Sequence, residues 1–214
     1  MLDPHALNVL VHVGAGATAL GVGAAPLLTT KGGAAHRVWG KWFVGIGAVV
    51  ITTAIIGDLL YSPPPALIAA TLTAAYQFVG GLRALALKDR GPGLIDALIA
   101  LTGALACVAL LSLMGSGTRS WPPALGYGTV GFLGMVIAYD LSRHAWPGTW
   151  LSHVRPIDHG FKMIGAYFAM ASAGIGNIFR DFQPWSQIGP SLFGLLVMVV
   201  LIGAYVRSSA STVT

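Results

Sequence analysis

The sequence predicts an all-α integral membrane protein, a single bundle of seven transmembrane helices spanning residues 1–214, with the N-terminus outside and the C-terminus cytoplasmic. Three observations carry this. Charged residues are 9% and hydrophobic residues 55% of the 214, whereas a soluble domain carries about 25% charged residues. Mean hydropathy is +0.76. The apolar residues fall into seven continuous runs, not the alternating segments of a β-barrel. So few charges cannot coat a water-facing surface of this size, which excludes a soluble globular enzyme. Disorder and collagen-like repeats are excluded on composition. The single cysteine, Cys107, permits no intrachain disulfide.

A spanning helix needs about 20 mostly apolar residues, and each run qualifies. The first, 6–29, follows Asp3 and lacks the basic stretch that opens a cleavable signal, so it is expected to be retained. The second, 38–61, begins beside Trp39 and Trp42 and ends at Tyr61. The third, 64–87, sets Tyr76, Gly80 and Arg83 on one face with Gln77 beside them. The fourth, 94–114, aligns Asp96, Gly103 and Cys107. The fifth, 122–142, ends among Asp140, Arg143 and His144. The sixth, 157–179, opens with Asp158, His159 and Lys162. The seventh is 189–206. Lipid is as apolar as leucine, so such helices associate through small residues and interhelical hydrogen bonds. Gly14, Gly16, Gly21 and Gly23 in the first run, and Gly165, Ala169, Ala173 and Gly176 in the sixth, read as packing positions. No glycine-rich loop joins a strand to a helix, so nucleotide fingerprints are absent.

Orientation follows from the basic residues. Lys31, Arg37, Lys41, Arg83, Lys88, Arg90, Arg143, Arg155, Lys162 and Arg207 fall at one set of loops and helix ends, and only Arg119 and Arg180 at the other. Cytoplasmic loops carry the excess of Lys and Arg. All six tryptophans lie at or beside predicted helix ends, where an amphipathic ring meets both lipid headgroup and hydrocarbon. Net charge is +5, but the bases sit between apolar runs, so the membrane's charge rule accounts for them and nucleic-acid binding is not implied. By this assignment every acid and base lies near a helix end, where a charge avoids the cost of about 2.5–3.5 kcal/mol at the bilayer centre.

Candidate ligand-binding residues are His12, His36, Arg37, Arg83, Asp96, His159 and Asn177. His12 lies inside the first span, and an intramembrane histidine is a functional candidate by default. It equally suits a neutral imidazole bonded to a neighbouring helix. His36, Arg37, Arg83, Asp96 and His159 crowd the cytoplasmic level, where they form either a polar cup for an anionic or metal-bearing ligand, or a rim of capping and snorkelling charges. Arg83 and Asp96 flank a short connection and can pair. His159, Met163, Ala166, Met170, Ala173 and Asn177 form one stripe along the sixth helix. Roughly 27 Å of helix separates His12 from the inner end, which argues against His12 and His159 sharing one haem; an inner pair such as His36 and His159 stays open but would be very exposed. Neither H-E-x-x-H nor C-x-x-C spacing occurs, and no metal site is assigned.

The segment from His12 to Lys41 has a histidine early in helix 1, followed by Lys31-Gly32, His36-Arg37 and Gly40-Lys41. Later come Gly81-Leu82-Arg83-Ala84-Leu85, and His159, Lys162, Met163, Gly165, Ala166 and Tyr167, with Asn177 closing helix 6. In these motifs the chain resembles an uncharacterised group of bacterial multi-span membrane proteins, with one extra residue between Lys31 and His36. The resemblance covers most of the chain. It implies the multi-pass topology and points to His12, His36, Arg37, Arg83, His159 and Asn177, but implies no activity.

The function read from the sequence is a bacterial inner-membrane protein that binds or transports a small molecule or ion through a polar site between helices 1, 2, 3 and 6. Two other classes stay open: a redox protein or enzyme holding haem, quinone or lipid through its histidines, and an accessory subunit of a larger membrane complex. Implied partners are the lipid bilayer and a small-molecule or ion ligand. A membrane-protein partner or a second copy is compatible, and nucleic acid is not implied. The sequence specifies no cofactor.

Overall fold

The computed structural model describes residues 3–87, 90–115 and 123–210; Lys88, Arg119 and Trp121, used in the topology argument, lie outside them. The described residues form α1 (Pro4–Leu28), α2 (Ala34–Leu60), α3 (Pro65–Ala86), α4 (Leu94–Gly115), α5 (Pro123–Ser142), α6 (Gly148–Ile178) and α7 (Trp185–Ala210). Two short 3-10 turns, Arg143–Ala145 and Arg180–Phe182, follow α5 and α6. No strand occurs among the described residues.

Local chemistry sets several boundaries. Asp3 accepts from the Ala6 amide at 3.2 Å, and Pro4 occupies the first helical position of α1, where its missing N–H costs nothing. Between α1 and α2 the chain reverses at Gly32, whose φ of +75° suits a residue without Cβ. The Lys31 ammonium then folds back onto the end of α1, donating to the carbonyls of Pro26, Leu27 and Thr29 at 3.0, 2.7 and 3.2 Å. These are the carbonyls a helix end leaves without intrahelical donors.

Six helices are long and apolar enough to cross a membrane: α1, α2, α3, α4, α5 and α7. The exception, α6, is the longest at 31 residues, and it begins at Gly148, not near 157 as the hydropathy suggested. At 1.5 Å per residue it is about 46 Å long, against about 30 Å of hydrocarbon. It is therefore longer than a bilayer core, and Asp158 and Lys162, expected at its opening, lie in its interior.

Antiparallel α3 and α6 form the centre. The α1–α2 hairpin packs on one side of this pair, α4 and α5 pack against α3 on the other, and α7 lies along α6. Half of the α3 span is buried, compared with 11% of the α1 and α7 spans, so α3 is the core helix and the other two face outward. One apolar cluster joins α3, α4 and α5 through Tyr76, Cys107, Leu133 and Ile137. A second joins α1, α2, α3 and α6 through Ala19, Phe43, Phe78 and Met170.

Of the helix 1 glycines expected to pack, only Gly23 does, a Cβ there meeting Phe43 at 2.7 Å, whereas at Gly14, Gly16 and Gly21 a Cβ meets nothing within 4 Å; close approach is concentrated on α3, α6 and α7. A Cβ on Gly80 would meet the Lys162 stem at 3.0 Å, and one on Gly81 would meet Met163 at 2.7 Å. A Cβ on Gly165 would fall on the Gln77 carboxamide. Across the other face of α6, Phe168 fills the notch left by Gly194 of α7. The small residues thus set the α3–α6 and α6–α7 spacings, which position the features described next.

Candidate functional site

Four charged side chains meet where α3, α5 and α6 converge. Asp140 ends α5, Arg143 begins the 3-10 turn after it, and Asp158 and Lys162 lie one turn apart on α6. Arg143 donates from Nη2 to Asp140 Oδ1 at 2.6 Å and from Nη1 to Asp158 Oδ2 at 2.7 Å. Lys162 Nζ closes the ring, 2.5 Å from Asp140 Oδ1 and 2.9 Å from Asp158 Oδ1. The Tyr76 hydroxyl of α3 donates to Asp140 Oδ2 at 2.8 Å. Tyr139 lies flat beneath both cations, 5.4 Å from the Arg143 guanidinium and 5.7 Å from the Lys162 ammonium.

This ring is deep inside the protein. Lys162 is 0% exposed and Asp158 1%. Two acids and two bases make it neutral, the condition under which buried charge is tolerable. Each cation touches both carboxylates, so removing any one member leaves a buried charge without its counterpart. The sequence reading located all four residues but set them at helix ends. Their enclosure depends on the early start of α6 and on Gly80, which leaves room for the lysine stem.

On one side of the ring lies a pit of about 20 Å3 lined by Arg90, Arg143, Arg155 and Asp158, with the end of α3. On the other side a cleft of about 390 Å3 runs between α3, α5, α6 and α7. That volume is within the usual range for small-molecule sites, about 300–1,000 Å3. The α3 wall is Ala66, Ala70, Thr73 and Gln77, a single helical face about 16 Å long at 1.5 Å per residue. Phe132 of α5, Phe168 of α6 and Leu195 and Met198 of α7 supply apolar walls. Gln77 is the residue beside Tyr76, so the deep end of the cleft adjoins the charge ring.

The polar groups in the cleft divide by depth. Near the α6–α7 connection, Ser172 and Ser191 are paired at 2.8 Å, and Ser191 also donates to the Gln187 carbonyl. At the deep end, Thr73 and Gln77 are 6% and 1% exposed. The Gln77 amide donates to the Thr73 carbonyl at 3.4 Å, which turns its carbonyl Oε1 away from that bond. Neither Gln77 Oε1 nor Thr73 Oγ1 has a hydrogen-bond partner in the described structure. Both atoms are enclosed, and Gln77 Oε1 is packed into the notch that Gly165 leaves on α6.

The seven residues singled out in the sequence separate into different parts of the bundle. His12 Nδ1 lies 3.0 Å from Thr53 Oγ1 and 3.2 Å from the Val50 carbonyl, joining α1 to α2. His36 Nδ1 lies 3.1 Å from the Pro26 carbonyl, and Arg37 donates to the Gly32 carbonyl, so both help to close the α1–α2 turn. Arg83 and Asp96 form the expected pair, with Nε and Nη2 on the two carboxylate oxygens at 3.0 and 2.9 Å. Asp96 also accepts from the Gly93 amide at the start of α4. His159 Nδ1 is 2.9 Å from the Gly81 carbonyl, linking α6 to α3. Asn177 donates to the Ala173 carbonyl at the far end of α6. None of the seven lines the cleft or the pit.

Sequence reasoning missed Thr73 and the ring, and passed over Gln77 as an ordinary interhelical hydrogen bonder. A local signal was available for the ring: Asp140-x-x-Arg143 and Asp158-x-x-x-Lys162 are opposite charges at helical contact spacing. Nothing local marks Thr73, whose lack of a partner exists only against the facing helices. No protein-family model, curated protein or solved structure matches this chain.

Proposed function

We propose that this chain is a polytopic membrane protein that holds a small apolar-bodied molecule in the cleft between α3, α5, α6 and α7. The topology within this proposal is seven spans, N-terminus outside and C-terminus inside, in a bacterial cytoplasmic membrane. Supporting it are six helices among the described residues that are long and apolar enough to cross a bilayer, and a seventh, α6, whose Asp158 and Lys162 are enclosed by its neighbours. Membership in the uncharacterised multi-span group belongs to the same proposal and rests on the His12–Lys41 and His159–Tyr167 motifs.

One observation carries the binding reading: a cleft of about 390 Å3 with apolar walls and the polar residues Thr73, Gln77, Ser172 and Ser191 along its lining. Ligand sites are characteristically apolar hollows with a few convergent polar atoms. The ring beneath supplies a rigid, neutral floor, since four mutually bonded charges anchor α3, α5 and α6 to each other.

The test is extraction of bound small molecules from the detergent-purified protein, compared with Gly128→Phe. Gly128 lines the cleft, and a Cβ there meets nothing within 4 Å, so the ring of phenylalanine fills the hollow without displacing backbone. A molecule that co-purifies with the parent and is lost from the variant supports the reading. Equal recovery from both refutes it. Topology is tested in a Cys107→Ala background with a single cysteine at Ala35 or Gln183, both exposed. A membrane-impermeant maleimide should label Gln183→Cys in intact cells, and Ala35→Cys only after permeabilisation.

A further inference from the structure

We propose that His36 and His159 form a metal site between α2 and α6, where their Nε2 atoms take a monovalent copper ion. The site is independent of the cleft, which neither histidine lines.

Both imidazoles are held in the form that binds a metal. A backbone carbonyl only accepts, so His36 Nδ1, 3.1 Å from the Pro26 carbonyl, and His159 Nδ1, 2.9 Å from the Gly81 carbonyl, each carry the proton. In a neutral ring that leaves Nε2 as a lone pair. A metal-ligating histidine almost always donates its other ring N–H in this way, which fixes its tautomer and orientation. Neither Nε2 has a hydrogen-bond partner among the described residues, and neither is enclosed: both rings are half-buried with Nε2 accessible. The two carbonyls belong to α1 and α3, so each ring is braced by a helix other than its own.

The helices bring the two rings to one level. α2 and α6 run in the same direction, with Phe43 against Tyr167 at 6.0 Å between ring centroids, and the Met170 methyl 3.8 Å from where a Cβ on Gly47 would lie. His36 precedes Gly47, and His159 precedes Met170, by the same eleven residues, about three turns. Each histidine therefore sits on the contact face of its helix at matching depth, and the two feel each other's charge. Met163, one turn further along α6, lays its Sδ against Gly81, the residue whose carbonyl holds His159.

The donor set selects the ion. Among the described residues no three His, Cys, Asp or Glu side chains gather, so Zn2+ would lack its shell of protein ligands. Asp158, beside His159 in the chain, is committed to Arg143 and Lys162. The Lys31 ammonium donates to the same Pro26 carbonyl as His36, and it repels a dication twice as strongly as a monocation. Two neutral imidazoles with a thioether close by suit Cu(I), a soft and singly charged ion.

The experiment titrates the detergent-purified full chain with Cu(I) under ascorbate, in competition with bicinchoninate, whose Cu(I) complex is coloured. The parent should take one Cu(I) from the chelator. His36→Asn and His159→Asn keep an amide N–H for the carbonyl and lose the Nε2 lone pair. Each should hold Cu(I) at least about tenfold more weakly, the least that losing even an outer-shell partner of a metal typically costs, while the metal-free chains melt with the parent. His12→Asn should leave uptake unchanged. X-ray absorption of the copper-loaded parent needs no variant and should show two imidazoles on the metal. A folded parent that takes no Cu(I), copper without imidazole ligands, or Asn variants that bind as the parent does would each overturn the site. Displacement of the copper by equimolar Zn2+ would overturn the choice of ion, and a Soret band in the parent that both Asn variants lose would show haem in place of the ion.

Discussion

Replacing Lys162 with methionine tests whether the charge ring holds the bundle together. The side chain is fully enclosed, and its ammonium sits within 2.9 Å of both Asp140 and Asp158. Methionine keeps the apolar stem that lies over Gly80 and ends one atom short of the ammonium. What changes is the charge: two buried carboxylates are left with Arg143 alone, a net −1 in a dry site. Breaking a buried pair by removing one partner costs about 3–5 kcal/mol. For a chain of this size each kcal/mol moves the melting temperature by about 2–4 °C, so Lys162→Met should melt about 6–20 °C lower in detergent, followed by tryptophan fluorescence. The double variant Lys162→Met with Asp158→Asn removes the stranded anion as well and should recover at least half of that loss. This recovery distinguishes charge imbalance from damaged packing, since the second substitution adds no packing. A shift below about 2 °C for the single variant, on the same scale, would show that the ring is not a stabilising unit. A double variant less stable than the single one would refute the charge argument.

Tyr76→Phe removes one of the three donors to Asp140 and should cost about 1.5 kcal/mol, the low end for a hydrogen bond to a charged group, because Arg143 and Lys162 remain; the melting temperature checks it. Gly165→Ala puts a methyl onto the Gln77 side chain and should cost about 1–3 kcal/mol, whereas Gly128→Ala, with open space at its Cβ, should leave the melting curve unchanged. Arg83→Gln breaks a pair whose arginine is about a third exposed, and should cost about 1 kcal/mol or less, far below Lys162→Met, in the same assay. Burial pushes the Lys31 ammonium below its ordinary range. Its acylation by an amine reagent should therefore reach half-maximum below about pH 10.4, the ordinary lysine value. The unfolded chain holds this proton more tightly than the folded one, so Lys31's contribution makes stability rise with pH through that window. A midpoint at or above the ordinary value would contradict it.

How much of this was legible in the residues differs from feature to feature. Arg83 and Asp96 were foreseen as a pair because a short connection brings the end of α3 beside the start of α4. Trp39, Trp150 and Trp185 are exposed within the first two turns of their helices, as amphipathic rings at a membrane boundary require, whereas Trp42 is exposed more than two turns into α2. Gly165 and Gly176 of α6 permit close approach as expected, but Gly14, Gly16 and Gly21 of α1 face open space. By contrast, the start of α6 was misjudged because hydropathy registers Arg155 and Asp158 as polar whether they are solvated or enclosed. His36 and Arg37 looked like ligands for a cytoplasmic cup. They are used in turning α1 into α2, a role set by backbone carbonyls that no side-chain pattern displays.

The sequence by itself determined the solvent and the secondary structure. Composition reports what surrounds a chain, and continuous apolar runs of bilayer length leave the helix as the way to satisfy the backbone within them. Tertiary structure alone decided that Asp140, Arg143, Asp158 and Lys162 form one dry neutral ring, and that Thr73 and Gln77 are buried at the deep end of a cleft. Burial and hydrogen-bond satisfaction are set by which helices become neighbours. That choice depends on shape complementarity between segments far apart in the chain, such as Gly80 against Lys162 and Gln77 against Gly165.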